Sequence, residues 1–220
     1  MKDHAFIFDM DGVIVDSNPY HKIAIQQFCA KYGHPLAEEQ LLTKVYGRTN
    51  KEWIVDLFGQ LTPEKVAAYS DEKEALFREI YKNDIRPVKG LVPFLEALKG
   101  SMTPMAIGTS APRANVDFTL SKTGIARFFS VILDGSDVTH GKPYPEIYLK
   151  VAQALNMPPQ RCVVIEDSLS GIAAGKAAGS KVIGITTTHT QQELGSTDMV
   201  IDHFEGLKPK NILQALFGGI

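Results

Sequence analysis

Four short clusters carry residue types capable of chemistry in this 220-residue chain. Asp9-Met10-Asp11-Gly12 sets two carboxylates two residues apart, and the glycine permits an unusual backbone turn. Close carboxylates repel, so such a pair needs a cation or a shared proton. The same residue types also make an ordinary turn. Glu166-Asp167-Ser168 adds two carboxylates ahead of a helical pattern. Helix capping, which favours Asp and Ser, accounts for one of them but hardly for both. Thr109-Ser110-Ala111-Pro112 offers hydroxyls, with Pro112 suited to a first helical position. Hydroxyls and free amides at a helix N-terminus make an anion site, although plain capping accounts for them as well. Lys142-Pro143 lies in the loop 137–145, stiffened by Gly141 and two prolines. A lysine held there could neutralise an anion, whereas a lone lysine is ordinarily solvated surface.

The elements that must position these residues follow from the apolar pattern. Runs at 5–8, 105–108 and 162–165 end at Asp9, Thr109 and Glu166. Runs at 131–133, 181–185 and 199–201 end at Asp134, a series of threonines and Asp202. Such uninterrupted runs suit strands buried on both faces of a parallel sheet. Helical patterns at 92–99, 113–122, 145–155 and 168–178 lie between them, which predicts an α/β fold with a doubly wound parallel sheet and right-handed crossovers. Ligands bind beyond the carboxyl ends of such strands. Asp9, Asp11, Thr109, Glu166 and Asp167 are therefore expected to converge, with four acidic groups in one crevice. That calls for a divalent cation, and all-oxygen ligation suits a hard ion such as Mg²⁺. Between 16 and 86 the alternation breaks into helices expected at 19–32, 50–58 and 62–81, with Pro63 in a first turn after Thr62. The expected organisation is a core of 1–15 and 87–220 with an inserted helical domain over 16–86. Gly171, Gly175 and Gly179 fall four apart on one helical face, which close helix–sheet packing explains.

Composition excludes several classes. Apolar residues make up 44%, charged residues 22%, and the formal net charge is -2, so the chain is not intrinsically disordered. The two cysteines, Cys29 and Cys162, are too few for a disulfide framework and are expected as buried thiols. No basic patch points to nucleic acid, and no apolar run approaches the roughly 20 residues needed to span a bilayer. With no leader expected before the first strand, the expectation is a cytoplasmic monomer.

Taken in order, Asp9-Met10-Asp11-Gly12-Val13-Ile14-Val15-Asp16-Ser17, Thr109, Lys142-Pro143 and Glu166-Asp167 resemble the four motifs of the haloacid dehalogenase-type phosphotransferase superfamily. The helical insertion resembles the cap of its β-phosphoglucomutase-like branch, and the likeness covers essentially the whole chain. The resemblance implies that Asp9 attacks phosphorus to form an aspartyl-phosphate, and that Asp11 serves as general acid and base. It further implies that Thr109 hydrogen-bonds a phosphoryl oxygen, with Ser110 a substrate-binding residue, and that Lys142 pairs with the phosphoryl group and with Asp9. Mg²⁺ would sit on Asp9, Asp167 and the Asp11 backbone carbonyl, with Glu166 close by, directly or through water. Haloacid dehalogenases lack the second aspartate and need no metal, so Asp11 argues against carbon–halogen chemistry. In the cap, His21 and the Arg48 of Gly47-Arg48-Thr49 are implied substrate or closure residues; packing is the competing account of His21. Asn50 stands where the mutase loop carries an arginine, and Ala111-Pro112-Arg113 replaces a Ser-Lys-Asn-type run, with Arg113 the candidate to hold a second phosphate. These departures favour a Mg²⁺-dependent phosphatase acting on a small phosphorylated metabolite, a sugar phosphate, over a β-phosphoglucomutase. Lys44 and Lys51 suggest a Schiff-base phosphonatase only weakly, and a non-catalytic module would have lost a motif member.

Overall fold

The computed structural model of the chain describes residues 3–45 and 49–218. Its strands are β1 (Ala5–Phe8), β2 (Met105–Gly108), β3 (Val131–Leu133), β4 (Cys162–Glu166), β5 (Lys181–Ile185) and β6 (Met199–Ile201). They pair in parallel in the order β3-β2-β1-β4-β5-β6. The order reverses between β1 and β4, which is the switch point where such sheets open a crevice. The helices are α1 (Asn18–Lys31), α2 (Glu38–Lys44), α3 (Asn50–Phe58), α4 (Pro63–Tyr81), α5 (Leu91–Gly100), α6 (Arg113–Thr123), α7 (Glu146–Ala154), α8 (Leu169–Ala177) and α9 (Pro209–Phe217). The strands fall on the six apolar runs, with β4 extended to include Glu166. Two helices escape the sequence pattern: α2, seven residues with few apolar positions, and α9. No helix among the described residues is long and apolar enough to cross a membrane.

The chain divides into two compact units, Met1–Asp16 with Ile85–Ile220, and Ser17–Asp84. In the first, alternate side chains of β1 feed two cores, as strand geometry requires. Phe6 and Phe8 join Phe94, Phe129 and Phe204 in an aromatic cluster with edge contacts at 5.7 and 5.8 Å. Ala5 and Ile7 pack on the other face with Ala106, Val164 and Val182, beneath Ile147, Tyr148 and Val151 of α7 and Ile172 of α8. Burial of each large apolar side chain contributes about 1.5–3 kcal/mol, so the strands cannot shift without losing both cores. The edge strands β3 and β6 are only half-buried along most of their length.

The second unit packs its helices around Phe28, whose ring meets Trp53 at 6.0 Å and Tyr69 at 5.4 Å, both edge to face. Thr62 caps α4 by accepting the Lys65 N–H at 3.3 Å, with Pro63 next in the chain.

The three spaced glycines have three different surroundings. Gly175 meets the middle of the sheet, where a Cβ would lie 3.0 Å from a Val182 methyl. Gly179 follows the end of α8 at φ +84°, a left-handed position that favours glycine. At Gly171 a Cβ would fall 1.7 Å from the Glu166 carboxylate. Close packing of α8 on the sheet therefore explains Gly171 and Gly175, and not Gly179, which lies beyond the helix.

Candidate active site

Strand register builds the site. Phe8 of β1 pairs with Ile165 of β4, and the Asp9 N–H donates to the Ile165 carbonyl at 3.0 Å. Asp9 thus leaves β1 beside Glu166, with Asp167 one residue further. Lys142 arrives from the loop ahead of α7. Its Nζ donates to Asp9 Oδ1 at 2.8 Å and Glu166 Oε1 at 2.5 Å, with the side chain only 6% exposed. Glu146 pins that loop from the start of α7 by accepting the N–H groups of Thr139 and His140 at 3.0 and 2.8 Å.

Glu166 is wholly buried and saturated. Besides Lys142, its Oε1 accepts the Tyr148 hydroxyl at 2.6 Å. Its Oε2 accepts the Asp167 N–H at 3.0 Å, the Ser168 N–H at 3.1 Å and the Ser168 hydroxyl at 3.0 Å. Five donors address about four lone-pair sites. Oxygens of Asp9, Glu166 and Asp167 also lie within 4.8 Å of one another.

The electrostatics follow from burying like charges together. Burial pushes Asp9 up to about 7, with the charges of Glu166 and Asp11 adding to the rise and Lys142 opposing it. Burial, then the charges of Glu166 and Asp9, hold Asp167 well above the usual carboxylate range. Burial alone would raise Glu166 too, but the Lys142 charge and the hydrogen bonds from Lys142, Tyr148 and Ser168 hold it below its ordinary value. Lys142 is held well above its ordinary value by Asp9 and Glu166 despite burial. Three carboxylates and one ammonium leave a surplus of two negative charges when all are ionised. An all-oxygen donor set with that surplus fits a hard divalent cation.

The other expected residues are placed as follows. Asp11 is half-buried beside Asp9, in a turn where Gly12 takes φ +74° and donates to the Val15 carbonyl at 2.8 Å. Thr109 is buried at the end of β2, and its Oγ1 accepts the Ala111 N–H at 3.1 Å. Ser110 is exposed. Pro112 is not at the first helical position: it is extended, and α6 begins at Arg113. The structure does not bring Arg113 into the cluster. It is 62% exposed, with Nε 2.8 Å from Asp117 and Nη1 4.0 Å from Asp134. Arg48 and Gly47 lie outside the described residues. In the helical unit, His21 stacks on Phe77 at 3.7 Å, and its Nδ1 lies 3.0 Å from Lys73 Nζ. Lys73 donates to Glu74 at 2.8 Å, and Glu74 accepts from Asn50 at 2.7 Å. Lys44 and Lys51 are both exposed, and the buried lysine of this unit is Lys73, 4% exposed.

Sequence reasoning missed Tyr148, Glu146 and Lys73. Tyr148 lies on the buried face of α7 beside Ile147 and Val151. A buried tyrosine needs a partner for its hydroxyl, which was a usable signal. The pinning of the loop by Glu146 left no pattern.

The pattern described as haloacid dehalogenase-like hydrolase matches residues 6–185. A phosphorylated carbohydrates phosphatase of Thermotoga maritima is 32% identical over 219 residues, covering 96% of this chain and 97% of that protein. A HAD hydrolase of family IA, variant 3, from Entamoeba histolytica superposes with a TM-score of 0.90 at 30% identity, covering 97% of this chain and 99% of that one. A β-phosphoglucomutase of Clostridium difficile does so at 0.84 and 26% identity, covering 98% and 97%. On both sequence and fold, this chain belongs to the haloacid dehalogenase-like hydrolase family.

Proposed function

We propose that the chain is a Mg²⁺-dependent phosphatase hydrolysing a small phosphate monoester, a sugar phosphate, through an aspartyl-phosphate on Asp9. The observation that carries this reading is the buried contact of Asp9 with Lys142 beside two further carboxylates. The phosphorylated carbohydrates phosphatase among its relatives supports the substrate class.

In this reading a carboxylate oxygen of Asp9 bonds to phosphorus as the ester oxygen leaves. Asp11 delivers a proton to that oxygen. Asp11 then takes a proton from water as the water attacks the phosphoaspartate, releasing phosphate and restoring Asp9. Lys142 favours the ionised form of Asp9 and neutralises charge on the phosphoryl oxygens, while Thr109 and Ser110 orient them. Phosphoryl transfer asks mainly for such positioning and neutralisation. Asp9, Asp167 and the Asp11 carbonyl would hold Mg²⁺, which supplies further charge stabilisation of the phosphoryl oxygens when bound. Glu166 would serve it through water, since its own oxygens already accept five donors.

The helical unit is assigned the role of substrate-selecting cap, on its insertion directly after the Asp9 motif. The free, buried thiols of Cys29 and Cys162 suit a reducing compartment, the cytoplasm. The alternative is a β-phosphoglucomutase, favoured by the likeness to the Clostridium difficile enzyme. Against it, Arg113 is engaged by Asp117 and Asp134, and Asn50 by Glu74.

The test is phosphate release from a panel of sugar phosphates, with Mg²⁺ and with chelator, including β-glucose 1-phosphate with a glucose 6-phosphate read-out. Chelator-sensitive phosphate release is expected. Glucose 6-phosphate formed without free phosphate overturns it in favour of the mutase.

A further inference from the structure

Beyond β5 the chain runs through Thr186-Thr187-Thr188, residues that the reaction above does not use. The pairing of Glu166 with Gly184 brings the end of β5 beside the end of β4, so the threonines leave the sheet on the edge where Asp167 lies. Thr186 Oγ1 donates to Asp202 at 2.7 Å and ties the end of β6. Thr187 Oγ1 donates to the Gly12 carbonyl at 2.5 Å, and Thr188 Oγ1 donates to Asp167 Oδ2. Threonines in turns ordinarily bond backbone groups a few residues away. These acceptors lie 175 and 21 residues off in sequence, in the two segments that carry the candidate metal ligands.

We infer that Thr188 and Thr187 are positioning residues for the cation site: Thr188 fixes the rotation of the Asp167 carboxylate, and Thr187 fixes the turn that carries the Asp11 carbonyl. The torsion that turns an Asp carboxylate is intrinsically broad. A donor on one oxygen removes that freedom before the cation arrives, so less ordering accompanies binding. In the turn, the Gly12 N–H is already held by Val15. Thr187 takes the carbonyl on the other side of Gly12, so the peptides flanking that residue are held from two directions.

This inference rests on the Mg²⁺ reading above, and the experiment separates the two. Mg²⁺ is titrated calorimetrically into the resting full-length protein and into Thr188→Val, Thr188→Ser, Thr186→Val and Asp167→Asn. Circular dichroism in chelator checks that each is folded, and Thr188→Ala stands in if the valine variant is not. Loss of one partner from around a metal ligand ordinarily costs 10–100-fold in affinity. Thr188→Val is expected to bind Mg²⁺ 10–100-fold more weakly, with serine restoring most of the loss and Thr186→Val binding like the wild type. In turnover the defect is expected in the Mg²⁺ concentration required more than in kcat at saturation. Wild-type affinity in Thr188→Val, with binding lost in Asp167→Asn, overturns the inference and leaves the Mg²⁺ reading standing. Equal weakening in Thr186→Val and Thr188→Val also overturns it, as general loosening. Undiminished affinity in Asp167→Asn, or no binding by the wild type, removes the Mg²⁺ reading and the inference with it.

Discussion

Replacing Asp9 with asparagine should stabilise the resting protein at neutral pH while abolishing turnover. The carboxyl of Asp9 titrates near 7 in the fold against an ordinary 3.8, chiefly because it is buried. An acid whose folded pKa is raised binds more protons folded than unfolded between the two values. Its stability cost is therefore absent below about pH 3.8, grows as pH rises, and is complete above about pH 7. A rise of about three pH units at 1.36 kcal/mol each sets a ceiling of about 4 kcal/mol. The asparagine amide has the same shape as the carboxylate and can still accept the Lys142 hydrogen bond, so the substitution removes the charge and little else. It also removes one of the charges that raise Asp167. The assay is urea unfolding of both proteins in chelator from pH 4 to 9. Trp53, the only tryptophan, lies in the helical unit, so the sheet unit is followed by hydrogen exchange at the β1 and β4 amides. The advantage of the variant should open from near zero at pH 4 and level off above pH 7. With a slope near 2 kcal/mol per molar urea, the ceiling corresponds to a midpoint shift of about 2 M. Parallel stability curves, with a constant offset across the range, would refute the claim that Asp9 carries a buried, strained charge.

Three further perturbations probe separate parts of the structure. Lys142→Met leaves Asp9 and Glu166 without their shared cation, so it should destabilise by about 3–5 kcal/mol at pH 8 and by less at pH 5, where the carboxyls can take up protons, as urea unfolding at the two pH values will show. Gly171→Ala drives a methyl into the Glu166 carboxylate, which five donors hold in place, and should cost about 1–3 kcal/mol together with most of the activity, whereas Gly175→Ala meets a Val182 methyl at 3.0 Å and should keep its turnover; thermal melts and phosphate release compare them. In the helical unit, Lys73→Met leaves the buried carboxylate of Glu74 without its cation and should cost about 3–5 kcal/mol, read by Trp53 fluorescence on unfolding.

What could be read from the sequence, and what could not, follows the range of the forces involved. Burial on both faces writes itself as an uninterrupted apolar run, so all six strands are visible, and strand-end topology brings Asp9, Glu166 and Asp167 together without side-chain information. Parallel pairing fixes register to the residue, so a polar group just past one strand end must meet one just past the next. The chemistry around those ends depends instead on contacts between distant segments, for which local pattern has no term. Glu166 illustrates this: its spacing suggests a metal ligand, while the Tyr148, Lys142 and Ser168 donors that hold its carboxylate left no trace in the local pattern. Gly171 looks like one of three equivalent packing glycines until the carboxylate beside it is seen. Arg113 has the charge to hold a phosphate, and the structure shows its guanidinium paired with Asp117, one helical turn along. The threonines after β5 mark the intermediate case. Strand-end topology places them on the same edge of the sheet as Asp9, but the acceptors they meet, the Asp167 carboxylate and the Gly12 carbonyl, come from distant segments.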